Sequence, residues 1–382
     1  LLDEWTPVLA DVEIPENPFA PVSAQGKKML QEHGEETPIT WIHRDTRYGE
    51  KLATPDITIA DLIGEVDPIK IAEGRYLSDE EALHFGLIPH TNRGIFAINE
   101  LPDLAERIQV GLLNVLEERD IQIRGHKIRL DLDILIVSTA NPEDYTNRGR
   151  IITPLKDRYG SQIRTHYPQN ILEEITIMEQ EQRKLDLGEY REDVPPFMSQ
   201  LIAEITQQAR RSPDINQRSG VSVRASVSNY EALLANALRR AIEVGEQDVV
   251  PRISDLPFIM PSLQGKIEFE AMEEGREEKI MARLFQDATK AVFSRFTEGI
   301  NLEPLTLHFA DGIHVTTGES LPSNAYEDTI KKIGGLAEVI ETLVPGGNTA
   351  NRASAVEFVL DGLHLNQRLN KDRVGGRTTY SA

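Results

Sequence analysis

The fold of this chain is decided by residues 92–100, which read Asn-Arg-Gly-Ile-Phe-Ala-Ile-Asn-Glu. The four apolar residues 95–98 predict a short strand that is buried on both faces, as in a parallel sheet. Asn99 and Glu100 follow it directly. Side chains at the carboxyl end of such a strand lie where open α/β folds bind ligands. The stretch therefore predicts an α/β domain with a ligand site at the end of this strand.

The sequence after Glu100 contains four more segments with clear patterns. They are a helix at 104–116, a β-hairpin made of the runs 121–124 and 127–130, a second buried strand at 134–137, and a segment that ends in Asp157-Arg158-Tyr159. The second strand leads into Asn141 and Pro142. Asn141 is therefore expected beyond the end of one strand, as Glu100 is beyond the end of another.

This order resembles the AAA+ ATPases, in which a Walker B strand, a helix, a hairpin, a sensor-1 strand with Asn and a short helix with Arg follow one another. Within AAA+ the chain resembles the magnesium-chelatase ATPase subunit and the MoxR-like group. The shared motifs are Asn-Arg-Gly before the strand, Asn-Glu at its end, Asn-Pro-Glu-Asp at 141–144 and Leu-x-Asp-Arg-Tyr at 155–159. The resemblance covers roughly residues 1–240.

The resemblance implies an α/β fold in three parts. Residues 1–168 would form an AAA+ parallel-sheet core, 169–250 a helical lid, and 251–382 a mostly helical C-terminal extension. Apolar spacing predicts helices in the last two parts. These lie at 172–187, 198–211, 219–242, 269–296, 330–343 and 353–369, while 306–317 alternates weakly like a strand.

The phosphate-binding P-loop of this superfamily, G-x-x-x-x-G-K-[ST], is missing from the sequence. Gly26-Lys27 and Gly265-Lys266 are the only Gly-Lys pairs, and neither has the first Gly or the Ser/Thr. Residues 1–5 resemble the end of a helix, as expected after a P-loop. We therefore expect that the chain lacks the N-terminal portion of its domain and does not hydrolyse ATP alone. The alternative is a degenerate, non-hydrolysing paralogue.

The resemblance assigns two catalytic roles at the strand ends. Glu100 would polarise the attacking water, although a carboxylate there also suits the start of a helix. Asn141 would be sensor 1 and contact the γ-phosphate or the water, although Asn-Pro also favours a simple turn.

Two arginine roles follow from the same resemblance. Arg158 would be a finger that reaches the nucleotide of a neighbouring subunit, with Arg148 and Arg150 as competitors and a salt bridge to a nearby carboxylate as the structural alternative. Arg224 would be sensor 2 and bind phosphate of its own subunit, with Arg218 as the second candidate.

Asn99 departs from the family pattern, because Walker B usually ends in Asp-Glu. Asn can still accept a hydrogen bond from a Mg²⁺-bound water, but it carries no negative charge. The expected cofactors are ATP and Mg²⁺, with Asn99 as the candidate metal contact through water.

Two other segments carry candidate features. Residues 59–90 occupy the position of an insertion that protrudes toward substrate or partner in the chelatase-like group. Within it, His84 and His90 are candidate metal ligands, although no partner ligands stand at metal-site spacing. Residues 44–51 read as a polar loop, either solvated or at a subunit interface.

Composition limits the classes of function. A length of 382 residues predicts two to three domains, and 40% hydrophobic with 27% charged residues is ordinary for a globular protein. No apolar run approaches the roughly 18–20 residues of a membrane span. The absence of cysteine excludes disulfides, so a cytoplasmic location is expected. The net charge of −21 argues against broad nucleic-acid binding.

The sequence thus predicts an AAA+ ATPase that remodels a partner protein within a homo-oligomeric ring, expected to be a hexamer. The resemblance allows metal insertion as one output, and a partner with a von Willebrand A-type domain as in related systems. Two alternatives stay open. One is a non-hydrolysing structural or adaptor subunit, and the other is a transcriptional activator that remodels polymerase.

Overall fold

The structure, a computed structural model, describes residues 2–72, 82–117, 121–123, 126–128, 130–141, 149–184, 187–270 and 275–382. It divides into two compact units, Leu1–Arg164 and Thr165–Ala382, and each is described by itself. The division lies close to the predicted boundary at residue 168. The predicted lid and extension lie together in the second unit, and the assignment of three domains stays a prediction.

Unit 1 is built from short strands and helices. Its strands are β1 Trp5–Leu9, β2 Ile39–His43, β3 Tyr48–Leu52, β4 Gly64–Val66, β5 Leu83–Phe85, β6 Ile95–Asn99, β7 Ile121–Ile123, β8 His126–Ile128 and β9 Leu135–Ser138. Its described helices are α1 Ala24–His33, α2 Ile59–Leu62, α3 Pro68–Ala72, α4 Leu87–His90, α5 Glu106–Glu117 and α6 Thr153–Arg158.

A parallel sheet of order β3-β6-β9 forms the centre of unit 1. Phe96 and Ile98 on β6 are buried and share one hydrophobic cluster with Ile108 and Leu112 of α5 and Leu155 of α6. This burial confirms the predicted strand at the centre of the sheet. The antiparallel pairing of β7 with β8 confirms the predicted hairpin.

The strand predicted at 134–137 is present as β9, but the prediction that it is buried is wrong for one of its faces. Leu135 and Val137 of β9 are 51% and 45% exposed, and Tyr48 and Leu52 of β3 are 50% and 54% exposed. These residues share one face, because β9 and β3 pair in register with β6 in the described structure. Only the opposite face is covered by α5 and α6, and the apolar composition of β9 does not reveal this.

Two further predictions in unit 1 are wrong. The described residues 2–5 are not the end of a helix, because β1 begins at Trp5 and pairs antiparallel with β2. The polar segment 44–51 is not a single loop, because β3 occupies Tyr48–Leu52 and pairs parallel with β6. In both cases the strand partner lies far along the chain, so local polarity gave the wrong answer. The segment 59–90 contains α2 to α4 and the β4–β5 pair, with 73–81 outside the described residues.

Unit 2 is mostly helical. Its helices are α7 Ile171–Glu181, α8 Pro196–Arg211, α9 Val223–Val244, α10 Met260–Gln264, α11 Arg276–Phe296, α12 Glu303–Ala310, α13 Tyr326–Lys332, α14 Leu336–Leu343 and α15 Thr349–Leu365. Its strands are β10 Arg191–Glu192, β11 Asp248–Val249, β12 Val315–Gly318, β13 Asn370–Val374 and β14 Arg377–Ser381.

Most of the core of unit 2 is one hydrophobic cluster whose members lie between Met178 and Tyr380, and Ala237, Ala241 and Val249 form a smaller one. The weak strand predicted at 306–317 is wrong for most of its length, because residues 306–310 belong to α12 and β12 begins only at Val315. The α/β fold class with a mostly helical C-terminal part is confirmed. Among the described residues, no helix has the length and apolar character needed to cross a membrane.

Candidate functional site

The Asn-Arg-Gly motif fixes the beginning of β6. A Cβ at Gly94 would lie 2.0 Å from the carbonyl oxygen of Arg47, so only glycine fits this approach. The Asn92 side chain is 2% exposed. It donates to the carbonyl of Pro15 at 2.6 Å and accepts from the N–H of Asp133 at 2.9 Å. The motif therefore holds two distant loops against the central strand, which is a structural role.

The carboxyl ends of β6 and β9 are tied together by Thr139. The N–H of Glu100 donates to Thr139 Oγ1 at 3.1 Å, and the Thr139 hydroxyl donates to Asn99 Oδ1 at 3.2 Å. The N–H of Leu101 donates to the Thr139 carbonyl at 2.9 Å. Glu100 has φ 56° and ψ 46°, a left-handed conformation that is uncommon for a residue other than glycine. Such conformations cluster at functional sites.

Glu100 and Asn141 lie beyond neighbouring strand ends, as the sequence predicted. Asn141 is exposed and comes two residues after Thr139. Both residues make further contacts within the chain. The structure thus brings the two candidate residues to the same edge of the sheet, while their catalytic roles stay predictions. Arg148 and the turn at 142–148 lie outside the described residues.

Asn99 has a carboxylate partner that the sequence did not indicate. Its Nδ2 donates to Glu50 Oε1, and its Oδ1 accepts from Thr139. The Tyr48 hydroxyl donates to Glu50 Oε2 at 3.1 Å, and this hydrogen bond raises the pKa of Tyr48. Glu50 is exposed on β3, the strand beside β6. A negative charge therefore lies directly against the uncharged Asn99.

The donor atoms at this edge fit Mg²⁺ held through water and nucleotide. Glu50, Asn99 and Glu100 offer oxygen ligands, which hard cations prefer, and Mg²⁺ in such sites uses one or two carboxylates with substrate phosphates. Within the described ranges, no group of three or more His, Cys, Asp or Glu could enclose a metal by itself. His84 and His90, with ring centroids 6.4 Å apart, are therefore not supported as a metal site.

Arg158 ends α6 and is held within its own unit. It forms a salt bridge with Glu117 of α5, and its Nη1 donates to the carbonyl of Pro154 at 2.8 Å. Its side chain is 27% exposed. The structural alternative from the sequence, a salt bridge to a nearby carboxylate, is thus present in this structure. The competitor Arg150 is exposed and pairs with Glu106 at 3.0 Å. The finger role stays a prediction for either residue.

Two residues that the sequence did not single out hold α6 in place. Gln109 of α5 is buried, donates to the carbonyl of Arg150 at 2.9 Å, and accepts from the N–H of Ile152 at 2.9 Å. The Tyr159 hydroxyl bonds the Ser138 hydroxyl at the end of β9, and burial raises the pKa of Tyr159. The sequence held one indication of the role of Gln109, a polar residue on the buried face of a predicted helix, because buried polar groups need hydrogen-bond partners.

The sensor-2 candidates lie in unit 2. Arg224 is exposed in the first turn of α9, where Ser222 accepts from its N–H at 3.2 Å. Arg218 is exposed in the preceding loop, and its N–H donates to Asn216 at 2.9 Å. An arginine in the first turn of a helix is placed to contact an anion there together with the helix N-terminus. The choice between the two stays a prediction.

A buried ion pair fixes the helices around the start of α9. Glu174 of α7 is fully buried and receives two hydrogen bonds from Arg210 of α8, at 2.6 and 2.9 Å. Ser226 of α9 donates to the same carboxylate at 2.6 Å. Arg210 also lies over the Tyr167 ring at 4.3 Å. The three helices of the predicted lid are therefore joined by one satisfied polar network.

Residues 71–157 match the family described as the Sigma-54 interaction domain. Uncharacterized protein YeaC of Bacillus subtilis is 23% identical over 260 residues, or 63% of this chain and 76% of that protein.

Two solved structures are similar in part. NtrX from Brucella abortus is 16% identical, with 75% of this chain and 58% of that chain covered and a TM-score of 0.37. A cryo-EM-based structure of the complex between subunits BchI and BchD of magnesium chelatase is 17% identical, with 64% and 75% covered and a TM-score of 0.28.

The family match confirms the resemblance to AAA+ ATPases, because the Sigma-54 interaction domain is an AAA+ domain. The matched segment includes β6, with Asn99 and Glu100 at its end, and β9. Residues 71–157 of this chain therefore match an AAA+ domain.

Proposed function

We propose that this chain belongs to an AAA+ ATPase of the magnesium-chelatase and MoxR-like group that uses ATP hydrolysis to remodel a partner protein. The junction of β6 and β9 supports the proposal most directly. There Thr139 hydrogen-bonds both Asn99 and Glu100, so two strand ends present polar side chains at one edge. Ligands of open α/β sheets bind at this edge.

At this edge Glu100 orients and polarises the attacking water, and Asn141 donates a hydrogen bond to the water or the γ-phosphate. ATP hydrolysis depends on such positioning and on electrostatic stabilisation of the phosphoryl group. The hydrogen bond from Glu100 to Thr139 fixes the backbone from which the carboxylate projects. Asn99 would hold Mg²⁺ through a hydrogen bond from a metal-bound water, and the ion would supply neutralisation of phosphate charge.

The proposal also assigns nucleotide contacts to two arginines. Arg158 contacts the nucleotide of the neighbouring subunit after its salt bridge with Glu117 opens. Arg224 contacts phosphate of its own subunit from the start of α9, with Arg218 as the second candidate. If a neighbouring subunit supplies this arginine, hydrolysis depends on assembly. We therefore propose that the protein forms a ring, and that the ring is a hexamer.

In this proposal the protein acts in the cytoplasm on a partner protein. The first candidate partner is a protein with a von Willebrand A-type domain. Metal insertion into a tetrapyrrole is the output to test first, since the sequence motifs resemble those of the chelatase subunit. The net charge of −21 supports a protein partner over nucleic acid.

A second candidate function is remodelling of a sigma-54 RNA polymerase. The match of residues 71–157 to the Sigma-54 interaction domain favours it. The same residues contain the general AAA+ strand ends, so the match supports both candidates. A direct test is ATP-dependent open-complex formation by sigma-54 polymerase with and without the protein.

Steady-state ATP hydrolysis by the full-length protein, with native mass spectrometry with and without ATP, tests the main proposal. We expect Mg²⁺-dependent hydrolysis together with a nucleotide-stabilised ring. A protein that assembles but hydrolyses no ATP would instead be the adaptor subunit, and the ATPase proposal would be withdrawn.

A further inference from the structure

Asn99 has both ends of its amide engaged. Its Nδ2 donates to Glu50 Oε1, and its Oδ1 accepts from the Thr139 hydroxyl at 3.2 Å. Its backbone carbonyl accepts from the N–H of Ala53 at 2.7 Å. The side chain is thus oriented by its neighbours, with its amide nitrogen toward a carboxylate. The Asn99 amide therefore lies against a formal negative charge that Glu50 carries.

Glu50 reaches Asn99 along one face of the sheet. The register pairs Glu50 with Ala97 and Leu52 with Asn99, and side chains two residues apart on a strand share a face. Both oxygens of the Glu50 carboxylate are held, Oε1 by Asn99 and Oε2 by the Tyr48 hydroxyl at 3.1 Å. A long side chain on a sheet surface would otherwise sample several rotamers. These two hydrogen bonds hold the charge beside the strand end.

We propose that Glu50 supplies the negative charge for hydrated Mg²⁺ that Asn99 lacks, so that Glu50 and Asn99 together act as one acidic unit. This inference rests on the proposed function, because it assigns a further metal-contacting residue to the same nucleotide site. The carboxylate accepts hydrogen bonds from metal-bound water, and the Asn99 amide keeps it in place. The acidic group for the hydrated metal would thus stand on β3, whereas the usual Walker B aspartate would stand at position 99 on β6.

The pair also accounts for an uncharged residue at position 99. An aspartate there would put two carboxylates in contact, and like charges at this separation disfavour the ionised forms. Asn99 removes that repulsion and adds a hydrogen bond to Glu50. If the hydrogen bond between Glu50 and Asn99 had no role at the metal, an uncharged acceptor at position 50 would serve equally well. The proposal instead requires the negative charge of Glu50. The substitution Glu50→Gln separates the two, because glutamine keeps the length and an acceptor oxygen but not the charge.

The first test measures Mn²⁺ binding to the full-length protein with a non-hydrolysable ATP analogue, from the EPR signal of free Mn²⁺. Loss of one charge-assisted interaction predicts an affinity roughly 10–150-fold weaker in Glu50→Gln. The charge-swapped double variant Glu50→Gln/Asn99→Asp should bind like the wild type. Glu36→Gln, which removes an exposed carboxylate elsewhere in unit 1, should also bind like the wild type.

The outcomes separate this inference from the proposed function. If the wild type binds Mn²⁺ and Glu50→Gln binds it equally well, the role of Glu50 is overturned and the ATPase proposal is unaffected. No Mn²⁺–nucleotide binding by the wild type overturns the ATPase proposal, and the inference with it.

A second test needs no nucleotide. Asn99→Asp should lower the thermal unfolding midpoint at neutral pH, and the added Glu50→Gln should restore it, because the repulsion requires both carboxylates. Equal midpoints for Asn99→Asp with and without Glu50→Gln would show that the side chains do not touch in solution, and the proposal would fail.

Discussion

The N–H of Glu100 donates a hydrogen bond of 3.1 Å to the side-chain hydroxyl of Thr139, and this bond joins the ends of two parallel strands. The same hydroxyl donates to Asn99 at 3.2 Å. Thr139 therefore holds both residues of the Walker B-like pair and also supports the left-handed backbone of Glu100.

Replacing Thr139 by Val should affect catalysis more than stability. The valine keeps the shape but loses both hydrogen bonds, at a cost of about 1 kcal/mol in unfolding free energy. In the full-length protein kcat should fall while the KM for ATP stays unchanged, because the water-polarising group loses its orientation. Thr139→Ser keeps the hydroxyl and should retain activity. Equal kcat in the Val and Ser variants would remove Thr139 from the positioning of Glu100.

Arg158 should act on the nucleotide of a neighbouring subunit. Arg158→Ala should reduce the hydrolysis rate by roughly 10³–10⁵-fold in the full-length protein, the range for an arginine finger. Mixing it with Glu100→Gln should restore part of the activity, since each variant supplies the group that the other lacks. Glu117→Gln breaks the salt bridge and should keep activity. If mixing restores nothing and Glu117→Gln is as inactive as Arg158→Ala, the arginine is structural.

The Tyr48–Glu50 hydrogen bond should be visible in a titration. It raises the pKa of Tyr48 in the folded protein, so its contribution to stability is present below the unfolded pKa near 10 and is lost as pH rises through the folded pKa. Glu50→Gln should lower the pKa of Tyr48 toward its ordinary value. The measurement is the tyrosinate absorbance difference between each protein and its Tyr48→Phe variant. An unchanged Tyr48 titration in Glu50→Gln would show that the two side chains are apart in solution.

The buried pair of Glu174 and Arg210 should control the stability of unit 2. Arg210→Ala leaves the fully buried Glu174 carboxylate without its partner, and breaking such a pair costs about 3–5 kcal/mol. The neighbouring Arg211→Ala is a matched control, because Arg211 is exposed and surface changes are usually within about 0.5 kcal/mol. Urea unfolding followed by circular dichroism compares them. Similar midpoints for both variants would contradict the network.

The parts of the site that the sequence predicted are those encoded by local patterns. The apolar run at 95–98, followed by Asn99 and Glu100, identified the strand and its carboxyl end. Asn141 beyond the next strand and Arg158 at the end of a short helix were also placed correctly along the chain. Each of these features depends on residues within a few positions of one another.

The parts that the sequence did not predict depend on contacts between distant segments. β3 is polar and was assigned to a loop, so Glu50 was not recognised as the partner of Asn99, which lies 49 residues away. The sequence did not single out Thr139, and the hydrogen bonds of its hydroxyl to Asn99 and Glu100 exist only because the strands are parallel neighbours. The exposure of Leu135 and Val137 was missed because an apolar strand has the same composition with one face covered as with two.

The measurement that tests the central claim most directly compares Glu100→Gln with Glu106→Gln in the full-length protein. Glu106 is an exposed carboxylate at the start of α5. If Glu100 polarises the attacking water, Glu100→Gln should keep its affinity for ATP and lose at least about 100-fold in kcat. Glu106→Gln should hydrolyse ATP like the wild type. Hydrolysis by Glu100→Gln at the wild-type rate would contradict the assignment of this strand end as the catalytic site.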